Sequence, residues 1–179
     1  PGLRLAATAW EVEIEGLISL LQPQTALNFE SLFPSLVTRG PDVGATPGLV
    51  TQVDVQYINY GSVAVSGIDF EAIYTRDTPW GRLDVSATAT QTANYDTELV
   101  PGAPQQDRVS RRFLDFWAPE WKGRLSVGLD GGAWSIAGAG RYVGSYLDEG
   151  VSTRELGDGW VYDLAAGVDV FSEDTRLLL

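Results

Sequence analysis

The sequence predicts an all-β fold, an antiparallel up-and-down segment of a transmembrane β-barrel, on the strength of three observations. Apolar and polar side chains alternate in at least six segments, as in strands whose two faces meet different surroundings. Short and long connections alternate strictly between those segments. Large aromatic residues stand near segment ends, where a membrane meets water. We expect about seven to eight strands, forming part of a larger barrel.

The alternation is clearest in residues 82–95. Leu83 and Val85 share one face of the predicted strand, and Asp84 and Ser86 share the other. The same two-residue period recurs in five further segments, at residues 10–15, 68–74, 121–130, 134–147 and 160–171. An apolar face toward lipid and a polar face toward a barrel lumen would produce this pattern.

The segment at residues 10–15 predicts the first strand. Trp10, Val12 and Ile14 alternate with three glutamates. We therefore expect Trp10 to share the apolar face of the sheet.

The connections predict which ends of the strands meet. The short ones are rich in Gly, Pro and Asp, as hairpin turns are, and lie at residues 77–81, 130–132 and 172–175. The long ones lie at residues 16–50, 96–119 and 148–159. We expect little regular structure in them, apart from an extra ribbon at residues 50–58. Bacterial outer-membrane barrels combine short periplasmic turns with long extracellular loops, whereas a soluble sandwich has water at both ends.

The composition excludes several functions. A net charge of −12 argues against binding to nucleic acid, which requires a basic surface. The sequence has no His and no Cys, so Ser-His-Asp and Cys-His catalysis are impossible within it. No apolar run approaches the roughly 18 residues of a membrane-spanning helix. We expect no enzyme activity, no catalytic residue, no metal site and no cofactor.

Charged residues on the polar faces of the strands are the first candidate functional residues. We expect six of them to face the lumen of the barrel: Asp69, Glu71, Asp84, Arg124, Arg141 and Asp163. Asp69 and Glu71 lie two apart on one face, a spacing that a pair of glycosidase carboxylates would also satisfy. Solvated lumen residues are the interpretation that we favour.

One long connection concentrates positive charge in an otherwise acidic chain. It contains Arg108, Arg111 and Arg112, followed by Trp117. Guanidinium groups bind carboxylates and phosphates, and an indole offers a stacking surface. We therefore expect these four residues to bind ligand.

Several motifs resemble those of TonB-dependent outer-membrane receptors. YINYG at residues 57–61 and VSGIDFE at residues 65–71 resemble a family signature that marks a descending strand. TPWGRL at residues 78–83 is similar to the periplasmic turn that follows it. Three later motifs follow in the family's order: PEWK at 119–122, RYVG at 141–144 and WVYDL at 160–164.

The resemblance implies that residues 1–179 form the C-terminal portion of a barrel of about 22 strands, without its plug domain or its final strands. It implies a receptor in the bacterial outer membrane that takes up a scarce nutrient, of the iron-siderophore, cobalamin or glycan class. Its partners would be outer-membrane lipid, its own plug, the TonB complex acting on a missing N-terminal part, and the extracellular nutrient. Two alternatives are a passive outer-membrane porin and a soluble β-rich carbohydrate-binding module or glycosidase.

Overall fold

A computed structural model describes residues 2–59, 61–98, 103–113, 117–149, 153–169 and 176–178. The chain is almost entirely extended. Its strands are β1 (Gly2–Glu15), β2 (Ile18–Leu20), β3 (Val37–Arg39), β4 (Val50–Val53), β5 (Tyr57–Asn59), β6 (Ser62–Thr78), β7 (Gly81–Glu98), β8 (Gln106–Asp107), β9 (Arg111–Arg112), β10 (Trp121–Asp130), β11 (Trp134–Val143), β12 (Tyr146–Asp148), β13 (Arg154–Leu156), β14 (Gly159–Asp169) and β15 (Arg176–Leu178). The helix α1 spans Pro23–Asn28. Within the described residues no helix is long and apolar enough to cross a membrane.

The large sheet follows the order β1-β6-β7-β10-β11-β14-β15, with β8 paired to β7. β10 runs antiparallel to both β7 and β11, and β11 runs antiparallel to β14. Chain neighbours within this order are sheet neighbours, which is the up-and-down topology that the sequence predicts. The all-β, antiparallel fold class is therefore confirmed.

The short turns at residues 77–81 and 130–132 lie at one end of the sheet, because Arg82 is the register partner of Asp130. Gly81 has a φ of 130°, and the Thr78 hydroxyl donates to its carbonyl at 2.7 Å. Gly132 has a φ of 86° in the second turn. The long connections leave from the opposite ends of these strands, so these parts of the topology are confirmed. The third predicted turn, at residues 172–175, lies outside the described residues.

The register sorts the side chains onto two faces, as predicted. Residues that are register partners in antiparallel strands share a face. Leu83 is the partner of Leu129, which is the partner of Ile136, and Ile136 is the partner of Ala166. This row belongs to the apolar face, where Leu164 is 86% exposed. The intervening residues form the polar face.

The prediction for Trp10 was wrong. Its indole ring lies over Gly67, on the polar face that carries Asp69, and Arg4, which shares the parity of Trp10 on β1, pairs with Glu71 on that face. On β1 the apolar face begins at Leu3. It ends before residue 11, because the glutamates at 11, 13 and 15 lie on the same face of the strand. Residues 10–15 therefore alternate as predicted but in the reverse orientation, because they lie beyond the apolar stretch of the strand.

Two compact units divide the chain. The first contains Pro1–Val12, Ala64–Asp96 and Asp107–Leu179, and the second contains Glu13–Val63 and Thr97–Gln106. The second unit has its own small hydrophobic core, formed by Leu21, Ala26, Leu36 and Ala103 with Phe29, Phe33, Val53 and Ile58 around it. The long connections are thus more regular than the sequence predicted.

The extra ribbon predicted at residues 50–58 forms in a different way. Residues 50–53 (β4) pair antiparallel with β3, and residues 57–59 (β5) pair antiparallel with β2. Two short ribbons replace the single predicted one, because each half of the segment pairs with an earlier part of the same connection.

Candidate functional site

Five strands of the large sheet contribute the six charged residues predicted to face a lumen. β6 contributes Asp69 and Glu71, β7 contributes Asp84, and one residue each comes from β10, β11 and β14. The alternation of each strand and the register between strands place them on the polar face. Orientation toward a lumen remains a prediction.

Asp69 and Glu71 each have a partner on a neighbouring strand. The hydroxyl of Thr90 donates to Asp69 Oδ1 at 2.6 Å. Glu71 forms an ion pair with Arg4. The two carboxylates that a glycosidase would use are thus engaged in cross-strand contacts.

The other charged residues of this face continue the cross-strand contacts. Asp84 accepts a hydrogen bond from Thr75 at 2.8 Å, and Arg141 pairs with Asp163 at 3.3 Å. Arg124 is the register partner of Arg141. Within the described part of the chain no ion pair to Arg124 occurs. Like charges directly opposite each other on neighbouring strands repel and destabilise the sheet.

The apolar face carries aromatic rings at the end from which the long connections leave. The ring centroids of Phe70 and Trp121 are 6.2 Å apart, and those of Tyr142 and Trp160 are 5.0 Å apart. Tyr162 stacks on Trp160 at 5.9 Å. In membrane barrels, aromatic residues are enriched where the strands pass from lipid to water.

A second, smaller sheet joins two of the long connections. Its strand order is β13-β12-β9, and we call it the loop sheet. β9 and β12 run parallel, and β12 and β13 run antiparallel. Backbone hydrogen bonds from Leu147 to Ser110 (2.8 Å) and from Glu149 to Arg112 (2.9 Å) fasten the two connections together. The predicted ligand-binding arginines lie in or beside this sheet.

Arg108 is a buried residue, with 5% of its surface exposed. Its guanidinium donates to Glu149 Oε2 at 3.2 Å and lies 4.7 Å from the centroid of the Phe113 ring. Burial lowers the pKa of Arg108, and the charge of Glu149 partly offsets that effect. The Arg108–Glu149 pair therefore joins one long connection to the other.

Arg111 and Arg112 are held by successive carboxylates. Arg111 donates to Glu149 Oε1 at 2.8 Å, and this hydrogen bond raises the pKa of Arg111. Arg112 donates to Asp148 Oδ2 at 3.1 Å. The structure therefore brings all three predicted arginines together, and it brings two carboxylates with them.

Trp117 lies beside the same sheet. Its ring is 4.5 Å from the ring of Tyr146 between centroids, with an interplanar angle of 38°. Tyr146 begins β12, two residues before Asp148. The predicted aromatic component of the site is thus a pair of rings.

Three members of this group were not among the predicted ligand-binding residues: Asp148 and Glu149, which pair with the arginines, and Arg154, the register partner of Asp148. The acidic pair at residues 148–149 was visible in the sequence, and so was the basic cluster at residues 108–112. Their complementary charge was the available indication that the two connections meet.

Comparison with known proteins identifies one family. Searches of curated proteins and of solved structures gave no match. A model of the family described as TonB dependent receptor-like, beta-barrel, matches residues 1–177.

Proposed function

The chain belongs to the TonB-dependent receptor β-barrel family, and we propose that it forms part of the wall of a receptor that imports a scarce nutrient through a plugged barrel, driven by TonB. The family is one of outer-membrane transport proteins rather than enzymes. The nutrient belongs to the iron-siderophore, cobalamin or glycan class.

The observation that carries the proposal is the family match over residues 1–177. The matched residues include a sheet with one apolar and one polar face. The strand lengths support it. β10 and β11 have 10 residues each and β14 has 11. A tilted strand needs about 9–11 residues to cross the hydrocarbon core of a membrane.

The polar face supports the idea of a plug inside the barrel. The six predicted charged residues lie on it, and Arg124 stands opposite another arginine. A plug that fills the lumen would offer hydrogen-bonding and charged partners to such a face, whereas lipid would not. We therefore assign the polar face to the lumen and the apolar face to lipid.

The test uses the complete receptor in cells that have no other uptake route for the nutrients. Cells are grown on an iron-siderophore, cobalamin or a glycan as the limiting nutrient, with and without a functional TonB. We expect growth on one of these classes and its loss when TonB is removed. Deletion of the receptor alone should give the same loss.

A passive porin would behave differently in this experiment. Solute entry would then persist without TonB and would rise linearly with external concentration. That result, or recovery of the full-length protein in the soluble fraction, would contradict the proposal.

A further inference from the structure

The loop sheet separates its charged residues onto two faces. Register partners share a face, so Arg112, Asp148 and Arg154 form one row across β9, β12 and β13. Arg111, Leu147 and Glu155 form a row on the opposite face. We call the first the Arg112 face and the second the Glu149 face, since Glu149 shares the parity of Leu147.

Charge is balanced differently on the two faces. On the Glu149 face, Glu149 accepts hydrogen bonds from both Arg108 and Arg111, and Glu155 adds a second carboxylate. On the Arg112 face, Asp148 stands between two arginines and pairs with Arg112. Within the described residues this row holds two guanidinium groups and one carboxylate, which leaves it a surplus positive charge.

The aromatic pair lies on the Arg112 face. Tyr146 precedes Asp148 by two residues in β12, so both side chains point to the same side, about 7 Å apart along the strand. The Trp117 ring lies against that of Tyr146, tilted by 38°. A surplus guanidinium and a pair of rings therefore lie side by side.

We propose that the Arg112 face binds a planar anion, a molecule in which a carboxylate or phosphate is joined to an aromatic or conjugated ring. Arg154 and Arg112 hold the anionic group, and the Trp117–Tyr146 pair contacts the ring. Guanidinium groups bind such oxyanions through paired hydrogen bonds, and aromatic side chains stack on flat rings.

Arg108 and Arg111 have a different role in this proposal. Arg108 is buried, and it shares the carboxylate of Glu149 with Arg111. The two arginines therefore support the structure of the loop sheet. They position the Arg112 face without touching the ligand. The four sequence-predicted residues are thus divided: Arg112 and Trp117 bind ligand, Arg108 and Arg111 do not, and Arg154 joins the site.

This inference rests on the proposed receptor function, and its test is direct binding to the complete receptor, purified in detergent. The probe is naphthyl phosphate, titrated by calorimetry, with naphthyl methyl ether and inorganic phosphate as its uncharged and ring-free counterparts. We expect Arg112→Gln/Arg154→Gln to raise the dissociation constant of naphthyl phosphate about tenfold or more. Arg76→Gln/Arg82→Gln removes the same charge from strands β6 and β7, and we expect less than a twofold change.

Single substitutions test the recognition of the phosphate and of the aromatic ring of the probe separately. Arg154→Gln leaves the Arg112–Asp148 and Arg111–Glu149 pairs in place, so it tests the site without loosening the loop sheet. We expect it to weaken the binding of naphthyl phosphate severalfold. Trp117→Ala should weaken naphthyl phosphate but leave the affinity for inorganic phosphate unchanged.

Equal affinities for Arg154→Gln and for the strand control would overturn the inference, as would equal binding of naphthyl phosphate and its uncharged counterpart. TonB-dependent growth without naphthyl phosphate binding would refute this site and leave the proposed function standing. Binding that follows the predicted pattern without TonB-dependent growth would support this site and contradict the proposed function.

Discussion

At the scale of single residues, Gly67 is among the most tightly enclosed positions in the sheet. A Cβ atom added there would lie 2.4 Å from the Gln91 carbonyl oxygen and 2.7 Å from Cζ2 of Trp10. The indole nitrogen of Trp10 is buried, without a hydrogen-bond partner in the described part of the chain. The ring is therefore held by packing over a glycine rather than by a polar contact.

Gly67→Ala should consequently destabilise the folded barrel by about 1–3 kcal/mol, because the backbone carbonyl cannot move away as a flexible side chain can. The measurement is the urea midpoint for unfolding of the complete receptor in detergent micelles. Gly128→Ala is the matched control, since a Cβ at that strand glycine has no neighbour nearer than 4.0 Å. Equal midpoints for the two variants would disprove the close packing at Gly67.

Another residue-scale prediction concerns Glu30 and Arg39 in the second unit. Arg39 donates to both oxygens of Glu30, at 2.8 and 2.6 Å, and these hydrogen bonds lower the pKa of Glu30 below its ordinary value of 4.5. A lowered carboxyl pKa contributes stability that is present above about pH 4.5 and is lost as the pH falls through the lower, folded value.

Hydrogen exchange of the peptide around residues 30–40 can test this, with wild type and Glu30→Gln compared at equal pH so that intrinsic exchange rates cancel. We expect faster exchange in the variant at pH 7, and a difference that disappears below the folded pKa of Glu30. A difference that is constant with pH would show that the ion pair contributes nothing through its charge.

At the scale of elements, the alternation within each strand sets the tolerance for charge. Val85 is the register partner of Val127 on the apolar face. Val85→Arg should cost roughly 2–4 kcal/mol if that residue meets the hydrocarbon core. The measurement is the free energy of folding of the complete barrel into phospholipid vesicles.

Ala139→Arg supplies the comparison for this prediction. Ala139 lies on the polar face as the register partner of Asp163, so a new arginine there gains a carboxylate neighbour. We expect its folding free energy to stay near that of the wild type. A cost for Ala139→Arg that matched the cost for Val85→Arg would contradict the assignment of the two faces.

The long strands were predictable from the sequence because apolar and polar residues alternate along them. β10 begins and ends where the alternation at residues 121–130 does. The short strands were not predictable, since β9 has two residues and no period can be read from two. The six-residue helix α1 likewise depends on the core around Ala26, which forms only when distant parts of the second unit meet.

The candidate site followed the same rule. Arg112 and Trp117 could be predicted as ligand-binding residues because charge and aromaticity are local properties of the sequence. Their division from Arg108 and Arg111 required the register of the loop sheet, which depends on a connection almost 40 residues later along the chain. Trp10 was assigned to the wrong face because the strand's apolar stretch begins earlier, at Leu3.

At the scale of the whole molecule, the topology predicts which residues a reagent can reach from outside the cell. The chain has no Cys, so a cysteine introduced into it gives this region a single labelling site. Glu155→Cys lies in a long connection, and Gly132→Cys lies in a short turn at the other end of the sheet. With a membrane-impermeant maleimide, intact cells should label the former and leave the latter unlabelled.

Permeabilising the outer membrane provides the control, because both positions should then react. Labelling of Gly132→Cys in intact cells would place the short turns outside and reverse the proposed orientation. Labelling of neither position after permeabilisation would show that the reagent does not report on exposure in this protein.

The loop sheet also has a consequence for how such receptors can be recombined. β9 comes from one long connection and β12 and β13 come from the next, yet Glu149 of the second pairs with Arg108 and Arg111 of the first. A chimera that receives only one of the two connections from a relative inherits half of a sheet and lacks the pairs that join Glu149 to Arg108 and Arg111. The two connections therefore form a single module for transplantation, and they must be exchanged together for the graft to fold.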